Sequence, residues 1–200
     1  MKIIIPNTRL RSFLALTRRT LFAAAILTLA YCTFVLVDAW SFQDRESGDF
    51  DRQLQLQRQS NLKTANFTQN NRGLIGRIEI QRLGLEAIVI EGTSKSTLRR
   101  AVGHIAGTAL PGEIGNIGIS GHRDTFFRPL RNIRKDDVIT LTTLSGEFRY
   151  RVVSTKIVAP LAIDVLNSGK DEVLTLVTCY PFYFLGSAPD RFIVRAERVS

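Results

Sequence analysis

Cysteine and histidine are both scarce in this chain, with two of each in 200 residues. Cys32 lies inside an apolar run and Cys179 far downstream of it, so geometry argues against a disulfide between them. No acidic cluster has the spacing of a calcium loop, and neither a metal nor a cofactor is predicted. No internal repeat is present, and no long run of like charge. The formal charge is +9, but Lys2, Arg9, Arg11, Arg18 and Arg19 all precede the apolar run, which leaves roughly +5 on residues 41–200. Those later bases alternate with acids as on an ordinary solvated surface, which argues against a nucleic-acid partner.

What the chain does have is aliphatic and aromatic content sufficient to fill one core without metals or disulfides. It also has one uncharged segment, Leu21 to Val37, which covers about 25 Å as a helix and which Thr20 and Trp40 extend toward a bilayer's ~30 Å. The preceding bases predict a cytoplasmic N-terminus and an extracytoplasmic remainder, with membrane lipid as the helix's partner. The run is longer than a usual signal-peptide core, so cleavage after Ala39 is the weaker reading. Lipoprotein processing before Cys32 is weaker still, because Tyr31 is bulky where such sites want small residues. The expected organisation is a basic N-terminus over 1–19, a membrane anchor over 20–40, a polar stalk over 41–72 and a folded domain over 73–200.

From about Leu74 the pattern becomes short apolar runs broken by Gly, Pro and Asn. Strands are expected around 77–80, 88–91, 116–120, 138–142, 148–153, 173–178 and 192–199. Brief helices are expected around 96–102 and 127–131. Many short strands with turn signals indicate an all-β barrel or sandwich.

Cys179 ends the β-branched run Val173 to Thr178, and Pro181 cannot continue that ladder. A thiol at a strand end faces the following loop, where a cleft can form, although a core cysteine would satisfy the same pattern. His122 follows a glycine-rich strand, with Gly121 allowing close backbone approach beside it. Arg191 opens the last strand, a short loop after Cys179. Together the three are chemically complete for acyl transfer. A cation favours the thiolate, which is a minor species at neutral pH. Histidine can protonate a leaving amine, and arginine suits an oxyanion. His104, in Gly103-His104-Ile105, reads as structural.

Thr175-Leu176-Val177-Thr178-Cys179 resembles the TLxTC signature of sortases. Gly107 to Glu113, leading into Gly115-Asn116-Ile117-Gly118-Ile119-Ser120-Gly121-His122-Arg123-Asp124, resembles that family's histidine segment. Asp190-Arg191-Phe192-Ile193-Val194 resembles its arginine strand, and the wording around Cys179 is closest to class D. The likeness covers about residues 74–199. It implies a closed eight-stranded sortase-type β-barrel and a cysteine transpeptidase with Cys179 as nucleophile, His122 as acid/base and Arg191 as oxyanion partner. The implied partners are exported proteins carrying an LPXTG-like sorting signal, and an amine acceptor from a peptidoglycan precursor or a pilin lysine. An L,D-transpeptidase fits less well, since its histidine and cysteine share one compact motif. A non-catalytic adhesion or pilus-assembly module would leave Cys179 buried and inert. A hydrolase using the same site differs only in which nucleophile resolves the intermediate.

Overall fold

The computed structural model describes residues 8–60, 73–183 and 186–199, in two compact units, Met1–Ser41 and Phe42–Ser200. Helix α1 (Thr8–Ser60) begins in the first. There its large apolar side chains, among them Leu21, Phe22, Leu27, Phe34, Leu36 and Trp40, are mostly exposed. A helix apolar on every side and covered by no protein is suited to lipid. Among the described residues it is the one helix long and apolar enough to cross a membrane.

From Phe42 onward α1 belongs to the second unit and changes character. Gln43, Glu46, Phe50 and Leu54 recur at helical spacing, and all four are at least half-buried. Phe50 is fully buried with Leu74 and Ile88, and Leu54, Ile90 and Leu144 pack around them. The Gln43 carboxamide accepts from the Ile88 amide at 3.0 Å and donates to the Arg100 carbonyl at 2.6 Å, so it occupies a peptide's place at the sheet margin. Asp51 pairs with Arg77, whose guanidinium lies 5.5 Å from the Phe50 ring centroid. The stretch expected to be a polar stalk therefore includes a docked helical face. The rest of that stretch, 61–72, lies outside the described residues.

The second unit is a closed barrel of eight strands. They are β1 (Leu74–Ile80), β2 (Leu85–Glu91), β3 (Val102–His104), β4 (Gly115–Ser120), β5 (Val138–Thr143), β6 (Gly146–Val158), β7 (Glu172–Tyr180) and β8 (Asp190–Val199). Their order around the barrel is β1-β2-β3-β4-β7-β8-β6-β5, and closure leaves no free edge. β2 with β3 and β4 with β7 are parallel; every other neighbouring pair is antiparallel. Inward residues alternate along each strand and form one core, including Ile78, Val89, Ile119, Leu141, Val152, Leu174, Leu176 and Val194.

Between β2 and β3 lies helix α2 (Lys95–Arg100), capped by Ser94, whose hydroxyl accepts from the Thr97 amide. The sequence extends this helix to Val102, but pairing wins there. Val102 and Gly103 join β2 on one side, and Gly103 joins β4 on the other. A Cβ at Gly103 would meet the Gly92 carbonyl oxygen at 2.3 Å, so only glycine permits that approach.

Two connections cover the outer face of β4. Asn116, buried in β4, receives the Thr175 hydroxyl at 2.7 Å and donates to the Val165 carbonyl at 3.0 Å, which ties the β6–β7 connection over the sheet. A Cβ on Gly118 would touch Leu166 from that connection and Thr108 and Ile105 from the β3–β4 connection.

Candidate active site

Cys179 stands one residue before the end of β7. Its neighbours Leu176 and Thr178 are buried, whereas Val177 and Cys179 are half-buried, so the thiol lies on the barrel's outer face with access to solvent. Across the antiparallel β7–β8 pair, Cys179 is directly opposite Arg191. Directly opposed residues project to the same face, with Cβ atoms about 5 Å apart.

His122 reaches this neighbourhood from the other side. β4 runs parallel to β7, with Ser120 beside Val177. The Gly121 amide donates to the Val177 carbonyl at 3.1 Å, and the Thr178 hydroxyl donates to the Gly121 carbonyl at 2.8 Å. These bonds carry the alignment past the end of β4 and set the exposed His122 beside the end of β7. The chain then turns: the His122 carbonyl accepts from the Phe127 amide at 3.1 Å, and the buried Phe127 ring lies against Gly121. A Cβ at Gly121 would come within 2.7 Å of that ring.

Two arginines organise the loop after Cys179. Arg123 is 6 % exposed. Its Nη1 donates to the Pro181 carbonyl at 2.8 Å and its Nη2 to the Gly186 carbonyl at 2.9 Å, while Nε lies 3.6 Å from Asp124. Arg191 Nη1 donates to the carbonyls of Asp190 at 3.0 Å and Ala188 at 3.4 Å. The loop leaves β7 through a cis Tyr180–Pro181 bond and packs through Tyr180, Phe182 and Phe192.

His104 does different work. It is buried in β3, with Nδ1 2.8 Å from a Glu91 carboxylate oxygen and Nε2 3.0 Å from both the Ala109 carbonyl and the Thr108 hydroxyl. Both ring nitrogens are thus engaged, Nδ1 with the end of β2 and Nε2 with the β3–β4 connection. A cavity of about 450 Å³ lies beside it, lined by Leu74, Glu91, His104, Leu110 and Glu113 among others, and by none of His122, Cys179 or Arg191. The lining of that cavity includes no cysteine. Among the described residues no group of three His, Cys, Asp or Glu is arranged to hold a metal.

Residues 78–199 match the family model of the sortase domain. The chain belongs to the sortase family. It is similar to sortase D of Bacillus subtilis (strain 168), with 41 % identity over 62 % of this chain and 64 % of that protein. It is also similar to sortase A of Listeria monocytogenes, with 29 % identity over 53 % and 49 % of the two chains. The chain thus spans about half to just under two thirds of these relatives' length. Among solved structures, a Clostridium perfringens sortase D5 transpeptidase matches with TM-score 0.65 and 27 % identity, over 80 % of this chain and 99 % of that one. Sortase A of Corynebacterium diphtheriae, a lid mutant, matches at 0.62 and 27 %, over 77 % and 95 %. The sequence reading of a closed eight-stranded sortase barrel agrees with the fold.

The sequence reading assigned no role to Arg123, although it lies beside His122. Its burial comes from a loop over 50 residues downstream, and no local pattern announces that.

Proposed function

We propose that this sortase is a cysteine transpeptidase acting on exported proteins with an LPXTG-like sorting signal. The observation that supports it most is the opposition of Cys179 and Arg191, with the His122 segment hydrogen-bonded to the same strand end. The Cys179 thiolate attacks the threonine carbonyl of the signal, and the negative charge that builds on the carbonyl oxygen is met by the Arg191 guanidinium. Arg191 must then exchange its loop carbonyls for that oxygen. His122 protonates the amine as the Thr–Gly bond breaks, leaving a thioester on Cys179. An acceptor amine attacks the thioester and gives its proton to His122, and the Cys179 thiolate leaves as the new amide forms. The acceptor is a peptidoglycan precursor or a pilin lysine.

The anchor over 20–40 holds the enzyme in the membrane as a single pass, with the N-terminus cytoplasmic and the barrel outside. The basic residues before the apolar run support this orientation.

The test is incubation of the full chain in detergent with a pentapeptide library and an amine, followed by mass spectrometry of the adducts. A thioester on Cys179 and amide products from wild type, both lost in Cys179→Ala and His122→Ala, are expected. Near-normal turnover by Cys179→Ala would refute the reading, and products ending only in a free carboxylate would make the enzyme a hydrolase.

A further inference from the structure

Arg123 is a charged side chain buried almost completely in a barrel that otherwise buries mostly apolar groups. A buried guanidinium is costly unless its donors are satisfied, so its position asks for a reason. Two of its bonds answer a specific geometric need. The residue before it is His122, and the carbonyls it binds belong to Pro181 and Gly186, two and seven residues after Cys179. One planar fork therefore joins the segment that carries the imidazole to the loop that follows the thiol. The same loop presents the Ala188 and Asp190 carbonyls to Arg191. Without Arg123, the described bonds between the His122 segment and β7 are backbone or hydroxyl bonds at Gly121, on one side of His122 only.

We propose that Arg123 is a positioning residue for the transpeptidation, fixing His122 relative to Cys179 by bridging the His122 segment to the β7–β8 loop. This rests on the catalytic reading given above. The bridge acts through the imidazole's placement and touches neither substrate nor reacting atoms. Its loss therefore lowers kcat while leaving the affinity for the sorting signal near its original value. Misplacement of a reacting group by an ångström costs up to about 10²-fold in rate. Lysine cannot replace the fork, because one ammonium does not span two carbonyls held this way.

The experiment uses the full chain in detergent, an internally quenched LPXTG peptide mixture randomised at X, and hydroxylamine as acceptor. Every protein carries Cys32→Ala and is freed of unfolded material on a sizing column, so that the thiol titrated by a small alkylating reagent is Cys179 of folded enzyme, and rates are normalised to it. For Arg123→Ala, kcat per titrated thiol should fall about 10²-fold with KM within about twofold of wild type. Arg123→Lys should fall between the two, and it carries the test if the alanine variant does not fold. A kcat per titrated thiol within threefold of wild type in both variants, or a raised KM at unchanged kcat, would overturn the inference. Cys179→Ala and His122→Ala run alongside: activity in those variants sinks the catalytic reading itself, whereas their inactivity beside a fully active Arg123→Ala sinks only the bridge.

Discussion

The hydroxyl of Thr178 donates to the carbonyl of Gly121 at 2.8 Å, in a place where Thr178 is buried. This bond crosses from β7 to the turn that carries His122, one residue from Cys179 on one side and one from His122 on the other. Thr178→Val keeps the shape and removes the donor, leaving a buried carbonyl unpaired at a cost of about 1–3 kcal/mol. The melting temperature should fall by roughly 2–4 °C per kcal/mol for a domain of this size. Peptide turnover should fall with it, and Thr178→Ser should restore most of both. Calorimetry and a peptide-cleavage assay check this, and a valine variant with wild-type Tm and rate would remove the bond from the account.

Phe50 and Gln43 carry the docking of α1 on the barrel. Phe50→Ala deletes a fully buried ring and should cost about 3 kcal/mol, or roughly 6–12 °C in Tm. Gln43→Leu should cost less but leave the Ile88 amide and Arg100 carbonyl without their present partner. Hydrogen exchange at Ile88 reads that loss directly. An unchanged Ile88 exchange rate in Gln43→Leu would mean that the carboxamide contributes nothing to the sheet margin.

How these features relate to the sequence differs from element to element. The strand expected over 138–142 forms as Val138–Thr143, because its alternation sits between clear turns and one face is buried. β3 was not legible as a strand: three residues with a central glycine carry no period, and only flanking β2 and β4 define it. The docked face of α1 was hidden because only Phe50 and Leu54 are apolar on it, while Gln43 and Glu46 hold the intervening turns. For the site, sequence brought Cys179, His122 and Arg191 together by chemistry and by likeness to sortases. It could not supply the register that sets Cys179 against Arg191, because the connection from 181 to 189 does not determine which residues pair. Arg123 lies within the histidine motif, yet burial by a distant loop is a tertiary fact.

Asp137 gives a pH test of the barrel apart from the site. The hydrogen-bonded Arg82 guanidinium holds its carboxyl below the usual range against the opposing effect of burial, and the Arg134 amide adds to the lowering. With the folded value below the unfolded ~3.9, this stabilisation is complete above about pH 4 and is lost as pH falls through the folded value. Asp137→Asn should therefore melt lower than wild type at pH 7. The gap should narrow as both are titrated below about pH 4. A gap that stays constant from pH 7 to pH 2 would show that charge on Asp137 is not its source.

Tyr150 offers the opposite case, at alkaline pH. Its ring is fully buried in the core, and its hydroxyl has no hydrogen-bond partner among the described residues. Burial pushes the phenol up to about 12, with Arg198 pulling down and Glu172 pushing up. The folded state thus favours the neutral phenol, and its advantage is intact below the unfolded value near 10. As pH rises from about 10 toward 12, the unfolded chain releases this proton first and stability drains away. Tyr150→Phe removes both the titration and a buried unpaired hydroxyl, whose loss is neutral or mildly favourable. Its Tm at pH 7 should equal or slightly exceed that of wild type, and its Tm should decline less steeply between pH 10 and 12. Equal slopes for the two proteins over that interval, or a clear loss of stability at pH 7, would mean that the hydroxyl has a partner worth keeping.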